Sequence, residues 1–197
     1  MRPLTLNDII DIARYEQERP EFRKRIIELK RHRRIAVGNR VSFVFENRDT
    51  MRFQVQEMMR VERIVLDDRI QEELDTYNEL VPGSRELKAT MMIEVTEPAE
   101  IRPVLDRFKG IDRGGTTYLM IGDDRVEGEY EGGRSSEIKL SAVHYVTFLL
   151  SDTQVGAVRA LHEPLSLVID HAPAGYHHEI SLAADVHEQL AADLHDE

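Results

Sequence analysis

The chain is 197 residues long, 41% hydrophobic and 32% charged, with a formal net charge of −11 and no cysteine. That length is enough to bury a sizeable core, and the composition is globular rather than disordered, so a single domain over residues 1–197 is expected. The lack of cysteine excludes disulfides, thiolate catalysis, zinc-thiolate sites and cysteine-ligated clusters, and no apolar run approaches the roughly 18 residues a membrane span requires.

In chain order, Thr5 or Asn7 is placed to cap a short first helix running to about Glu18, and Pro20 to open a second running to about Arg34. Residues 35–37 and 41–46 read as strands joined at Gly38-Asn39, a hairpin signal. Helices are predicted over about 50–65 and 68–80, the latter stopping before Pro82-Gly83. A strand follows over 87–95, and Pro98 opens a helix ending near Gly110. Residues 116–121 and 125–130 form a second hairpin candidate around Gly122-Asp123-Asp124. Residues 131–136 are the one linker-like stretch. Leu140 to Leu150 is the clearest strand. A short helix over 153–161, strands over 165–170 and 177–182, and a last helix over 183–194 complete the chain. Hairpins grouped apart from helices predict an α+β fold: a mainly antiparallel sheet packed with helices, the N-terminal third helical.

Charge is unevenly spread. Residues 1–40 carry 11 Lys/Arg against 6 Asp/Glu, whereas the remainder carries 15 against 31. The basic stretch from Phe22 to Arg34 reads as a solvated helix face with Phe22, Ile26, Ile27 and Leu29 packed inward. A nucleic-acid partner is disfavoured, because the acidic remainder repels a polyanion and no aromatic residues interleave the cations. No membrane partner is expected, and a homodimer is compatible with the chain without being demanded. The first residues have no h-region, so a cytoplasmic protein is the simplest expectation.

The helix predicted over 53–65 carries the main anomaly. At about 100° per residue, Phe53, Ile64, Val61, Val65, Met58, Val55 and Met59 sweep out an apolar arc, with Gln56, Arg60 and Arg63 opposite. Glu57 falls between Phe53 and Val61, Gln54 between Val61 and Val65, and Glu62 between Met58 and Val55. A carboxylate facing a core is costly unless it is paired, hydrogen-bonded or bound to a metal. Two histidines offer partners. His144 shares the Ala142, Val146, Phe148 side of its strand and His171 continues the Leu165, Leu167, Ile169 side, both the apolar face.

Three readings follow. Glu57, Glu62, His144 and His171 can form a site for iron, manganese or zinc, since imidazole and carboxylate suit those ions. A desolvated glutamate and a histidine near neutrality can do acid–base chemistry. The same residues can instead form a buried hydrogen-bonded network that only specifies packing. Glu73, beside Tyr77 on the next helix, is a weaker candidate. No E-x-x-H, H-E-x-x-H or glycine-rich phosphate motif is present.

The runs RPEFRKRIIELKRHRRIAVG, FENRDTMRFQVQEMMRVERI, IQEELDTYNELVPG, LKATMMIEV, KLSAVHYVTF and VIDHAP together resemble an uncharacterised bacterial family catalogued as a domain of unknown function. The resemblance extends from Leu4 to about Asp193. It implies a neighbourhood of rubrerythrin-like and iron–sulfur proteins, hence a role linked to iron or peroxide redox metabolism, and it assigns no reaction. Two functions are expected in competition: a metal-binding protein with an internal Glu/His site, or a non-catalytic accessory protein docking onto an iron–sulfur or rubrerythrin-like partner through the basic second helix or the acidic remainder.

Overall fold

The computed structural model describes residues 1–132 and 140–194. Most of the expected linker, Ser135, Ser136 and His195 lie outside the described residues. The helices are α1 (Ile12–Arg31), α2 (Arg48–Glu62), α3 (Asp67–Asn78), α4 (Ile101–Phe108), α5 (Asp152–Ala160) and α6 (Ala184–Asp193). The strands are β1 (Arg34–Val37), β2 (Val41–Phe45), β3 (Glu86–Ile93), β4 (Thr117–Ile121), β5 (Asp124–Tyr130), β6 (Val143–Leu149), β7 (Leu165–His171) and β8 (Tyr176–Ser181). The fold is α+β, as the hairpin pattern predicted.

All eight strands form one antiparallel sheet in the order β1-β2-β3-β6-β5-β4-β7-β8. The sheet curls until β8 approaches β1, giving a nearly barrel-like shape. No backbone ladder joins those two edges among the described residues. Instead the Tyr176 hydroxyl donates to the Val37 carbonyl and accepts from the Arg40 amide. Gly38 makes this closure possible. Its φ is +71°, and a Cβ there would collide with the Tyr176 hydroxyl and the His178 ring, so only glycine fits the turn.

Period-two alternation divides the sheet into two faces. The inward face fills the barrel with Phe43, Phe45, Leu87, Met91, Leu119, Phe148, Leu167 and Ile169, and the interior is plugged by Val104 and Phe108 of α4 and by Val186 and Leu190 of α6. The outward face of β2, β3 and β6 is covered by α2 and α3, whose Met51, Val55, Met59, Ile70 and Leu74 form a second core. Tyr15, Phe22 and Ile26 of α1 pack as a third cluster.

Several expectations are corrected. The two N-terminal helices are one continuous helix, with Pro20 inside it. Tyr15 and Phe22, on either side of Pro20, are both buried and meet edge to face with ring centroids 6.1 Å apart, which ties the two halves together. Helix α2 stops at Glu62 because Arg63 takes a left-handed conformation (φ 55°). Val61, on the solvent side of α2, and Val65, beyond its end, both expected inward, are 64% and 68% exposed. Gln56, expected on the polar face, is fully buried: its side chain accepts from the Ile10 amide and donates to the Ile10 carbonyl. Ile27 is exposed rather than packed, whereas Arg33, expected on a solvated face, is buried.

Candidate functional site

The four expected site residues stand on opposite sides of the sheet wall. Glu57 lies between α1 and α2, where it accepts from the Tyr15 hydroxyl at 2.7 Å and from Arg19 Nε and Nη2 at 2.7 and 2.9 Å. The Arg19 hydrogen bonds hold its carboxyl down at about 2, against the opposing effect of burial, with Tyr15 adding to the lowering. Burial and the Glu57 hydrogen bond push the Tyr15 hydroxyl well above its usual range. Glu62, the last residue of α2, is exposed rather than inward.

The histidines do face inward. His144 is 1% exposed, with Nε2 2.8 Å from the Ser141 carbonyl and its ring edge-on to Tyr130. His171 is 2% exposed and stacks on Phe108 at 6.2 Å. Burial lowers its pKa, opposed by the backbone at Arg107 and Lys109. They are not on neighbouring strands, however. β5 and β4 separate β6 from β7, which is three inter-strand steps of about 4.8 Å along the sheet. With the imidazoles inside the barrel and Glu57 outside it, the expected Glu/His site does not assemble. Among the described residues no group of three or more His, Asp or Glu is arranged to hold a metal ion. His187 is buried on α6 with Nε2 3.0 Å from the Val158 carbonyl.

A different polar site exists under the same helix. On the outward face of the sheet, Val44, Thr90 and Tyr145 pair in one cross-strand row. Glu46 follows β2 on the Val44 side. Over this row lie Lys30 of α1, Met51 and Gln54 of α2, and Tyr77 of α3, enclosing a cavity of about 190 Å³. A single water needs only about 10–15 Å³, so the space admits a molecule of several heavy atoms.

Glu46 is the polar anchor of this cavity and is 5% exposed. Its Oε1 accepts from the Thr90 hydroxyl at 2.7 Å. Its Oε2 is shielded from solvent and has no hydrogen-bond donor among the described residues. Lys30 Nζ stands 3.9 Å away, too far to donate. A buried carboxylate oxygen without a protein donor is costly, and it marks a place where a water, an ion or a ligand donor can bind. Beyond it, burial raises the Tyr77 hydroxyl pKa, offset in part by a hydrogen bond with Gln54 and reinforced by the nearby negative charge of Glu73 and Glu62. Glu73 is itself raised by burial and by Glu62.

Of these residues the sequence pattern singles out Gln54, and Glu46, Lys30 and Thr90 escape it. The available signal was the alternation of VSFVFE, which puts Glu46 on the same face as Val44 and leaves a carboxylate at the end of an otherwise apolar strand.

Residues 3–194 match the family described as "Protein of unknown function (DUF3501)". The chain belongs to that family. A crystal structure of a novel protein of unknown function from Burkholderia pseudomallei is similar to this DUF3501 chain at 33% sequence identity, covering 98% of this chain and 100% of that one, with a TM-score of 0.91. No curated protein matches the chain. Among the described residues no helix is long and apolar enough to cross a membrane.

Proposed function

We propose that the protein binds a small polar molecule in the cavity between α1, α2, α3 and the outward face of β2, β3 and β6. The observation that carries this reading is the Glu46 carboxylate, buried with one oxygen lacking a hydrogen-bond donor at the edge of a cavity large enough for a ligand. Gln54, Tyr77, Thr90 and Tyr145 supply further polar groups, while Met51 and Met92 give an adaptable apolar lining. Polar and apolar groups share the lining about equally, and the volume is below the roughly 300–1,000 Å³ of a drug-sized pocket, so the cavity suits a polar occupant of a few heavy atoms.

Glu57 is saturated by Arg19 and Tyr15 and separated by the sheet from both imidazoles, so it does not join them around iron, manganese or zinc. Of the basic residues expected to dock an iron–sulfur or rubrerythrin-like partner, Arg33 is buried, whereas Arg31 and Arg34 stay exposed in surface pairs with Glu28 and Glu94.

The test is a set of amide NMR titrations with three probes of one shape: n-butylammonium, n-butanol and butyrate. At least one is expected to shift the amides of Gln54, Tyr77, Thr90 and Tyr145 saturably. If none of the three moves them, the cavity is a structural void and the reading fails.

A further inference from the structure

We infer that the ligand is a small organic cation whose ammonium group takes Glu46 as counter-ion and displaces Lys30. This rests on the ligand-binding reading above and specifies the chemical class for the same site.

Charge around the cavity selects the sign. Lys30 is the one cation within 4 Å of Glu46 among the described residues. Against it stand the Glu46 carboxylate and the charges of Glu62 and Glu73 felt at Tyr77. The field there is negative, and it favours a positively charged occupant. Tyr77 and Tyr145 line the cavity, and aromatic walls attract an ammonium through their ring faces.

The geometry of Lys30 gives the second argument. Its side chain is 34% exposed, whereas that of Glu46 is 5% exposed. An ammonium ion has three donors and makes its best bonds to carboxylate at about 2.7–2.9 Å. At 3.9 Å, Lys30 neutralises Glu46 from a distance and leaves Oε2 without a hydrogen bond. The lysine occupies the position of a cationic head group without satisfying it. Its long, partly solvated stem can swing outward, keeping its charge in water, and so expose Oε2 to an ammonium that enters the cavity and bonds directly. Lys30 is thus a weak internal competitor that offsets the Glu46 charge only in part when the site is empty.

The same three probes, titrated against three proteins, test the sign. In the wild type, n-butylammonium is expected to shift the cavity amides at lower concentration than n-butanol or butyrate. In Glu46→Gln its binding weakens by about tenfold or more, since a charged hydrogen bond is lost. Gln keeps the shape and an oxygen for Thr90, and unchanged amide positions for β4 and β7 certify the fold. In Lys30→Met the competitor is gone and n-butylammonium binds more tightly than to the wild type. If butyrate binds best and Lys30→Met abolishes it, the cavity is a ligand site but the cation assignment is overturned. It is equally overturned if n-butanol matches n-butylammonium and Glu46→Gln changes neither. If no probe reaches the cavity in any of the three proteins, the ligand-binding reading itself fails.

Discussion

Arg33 and Asp193 form a buried bidentate ion pair, Nη1 and Nη2 of the arginine standing 2.6 and 2.8 Å from the two carboxylate oxygens. Their side chains are 1% and 7% exposed, and Arg33 also reaches the Phe45 and Gln189 carbonyls. The pair ties the segment entering β1 to the end of α6. Removing one partner leaves the other charged and buried, so Asp193→Ala is expected to destabilise the protein by about 3–5 kcal/mol. The double variant Arg33→Met/Asp193→Leu is expected to recover most of that loss, because apolar packing of similar volume needs no desolvation. Urea unfolding midpoints compare the three proteins.

Glu57 ties α1 to α2 and carries a defined pH signature. Its folded pKa of about 2 lies below the ordinary 4.5. The stabilisation is therefore fully present above about 4.5 and lost as pH falls towards 2. Glu57→Gln is expected to destabilise by on the order of 2 kcal/mol at neutral pH and to flatten the stability profile in that acid window. Urea denaturation at stepped pH reads both. An unchanged slope between pH 4.5 and 2 would show that the pair contributes nothing.

His171 acts in a higher window. Burial lowers its pKa below the ordinary 6.5, so its contribution is complete above 6.5 and is lost as pH falls through the depressed folded value. His32 has the opposite sign: the hydrogen bonds it donates to Asp185 and Glu28 raise it, and its contribution, present below 6.5, fades as pH rises. His171→Gln is expected to remove the mild-acid loss of stability and His32→Gln to leave it in place. Thermal unfolding followed across that range separates the two.

Gly38 sets the closure of the curled sheet. Gly38→Ala forces a left-handed turn residue to carry a Cβ against Tyr176 and His178, with a cost of about 1–3 kcal/mol. Tyr176→Phe removes the hydroxyl that bridges Val37 and Arg40. Faster amide exchange at β1 and β8 in either variant, with β3 and β6 unaffected, is the expected outcome.

Much of the fold is legible in local pattern. The hairpins at Gly38 and Gly122 follow from turn chemistry, and the inward positions of His144 and His171 from strand alternation. What local pattern does not carry is strand order. Placing β6 against β3 and β5 depends on a crossover that no residue near His144 encodes, so alternation orients both histidines without bringing them together. The helical wheel failed for a similar reason. Arg63 ends α2 early, and Gln56 is drawn inside by the backbone of Ile10, more than forty residues away. Glu57 was legible as a partnered carboxylate, whereas Arg19 and Tyr15 as its partners depend on how α1 crosses α2. The orphan oxygen of Glu46 emerges only once α1, α2 and α3 are laid over the outward face of the sheet.

The most direct measurement of the central claim is an amide NMR titration of the wild-type protein with n-butylammonium, repeated on Glu46→Gln. Saturable shifts at Gln54, Tyr77, Thr90 and Tyr145 in the wild type, lost in the variant, are the predicted result. Unmoved amides at those four positions, or equal shifts in both proteins, would contradict a cation site built on Glu46.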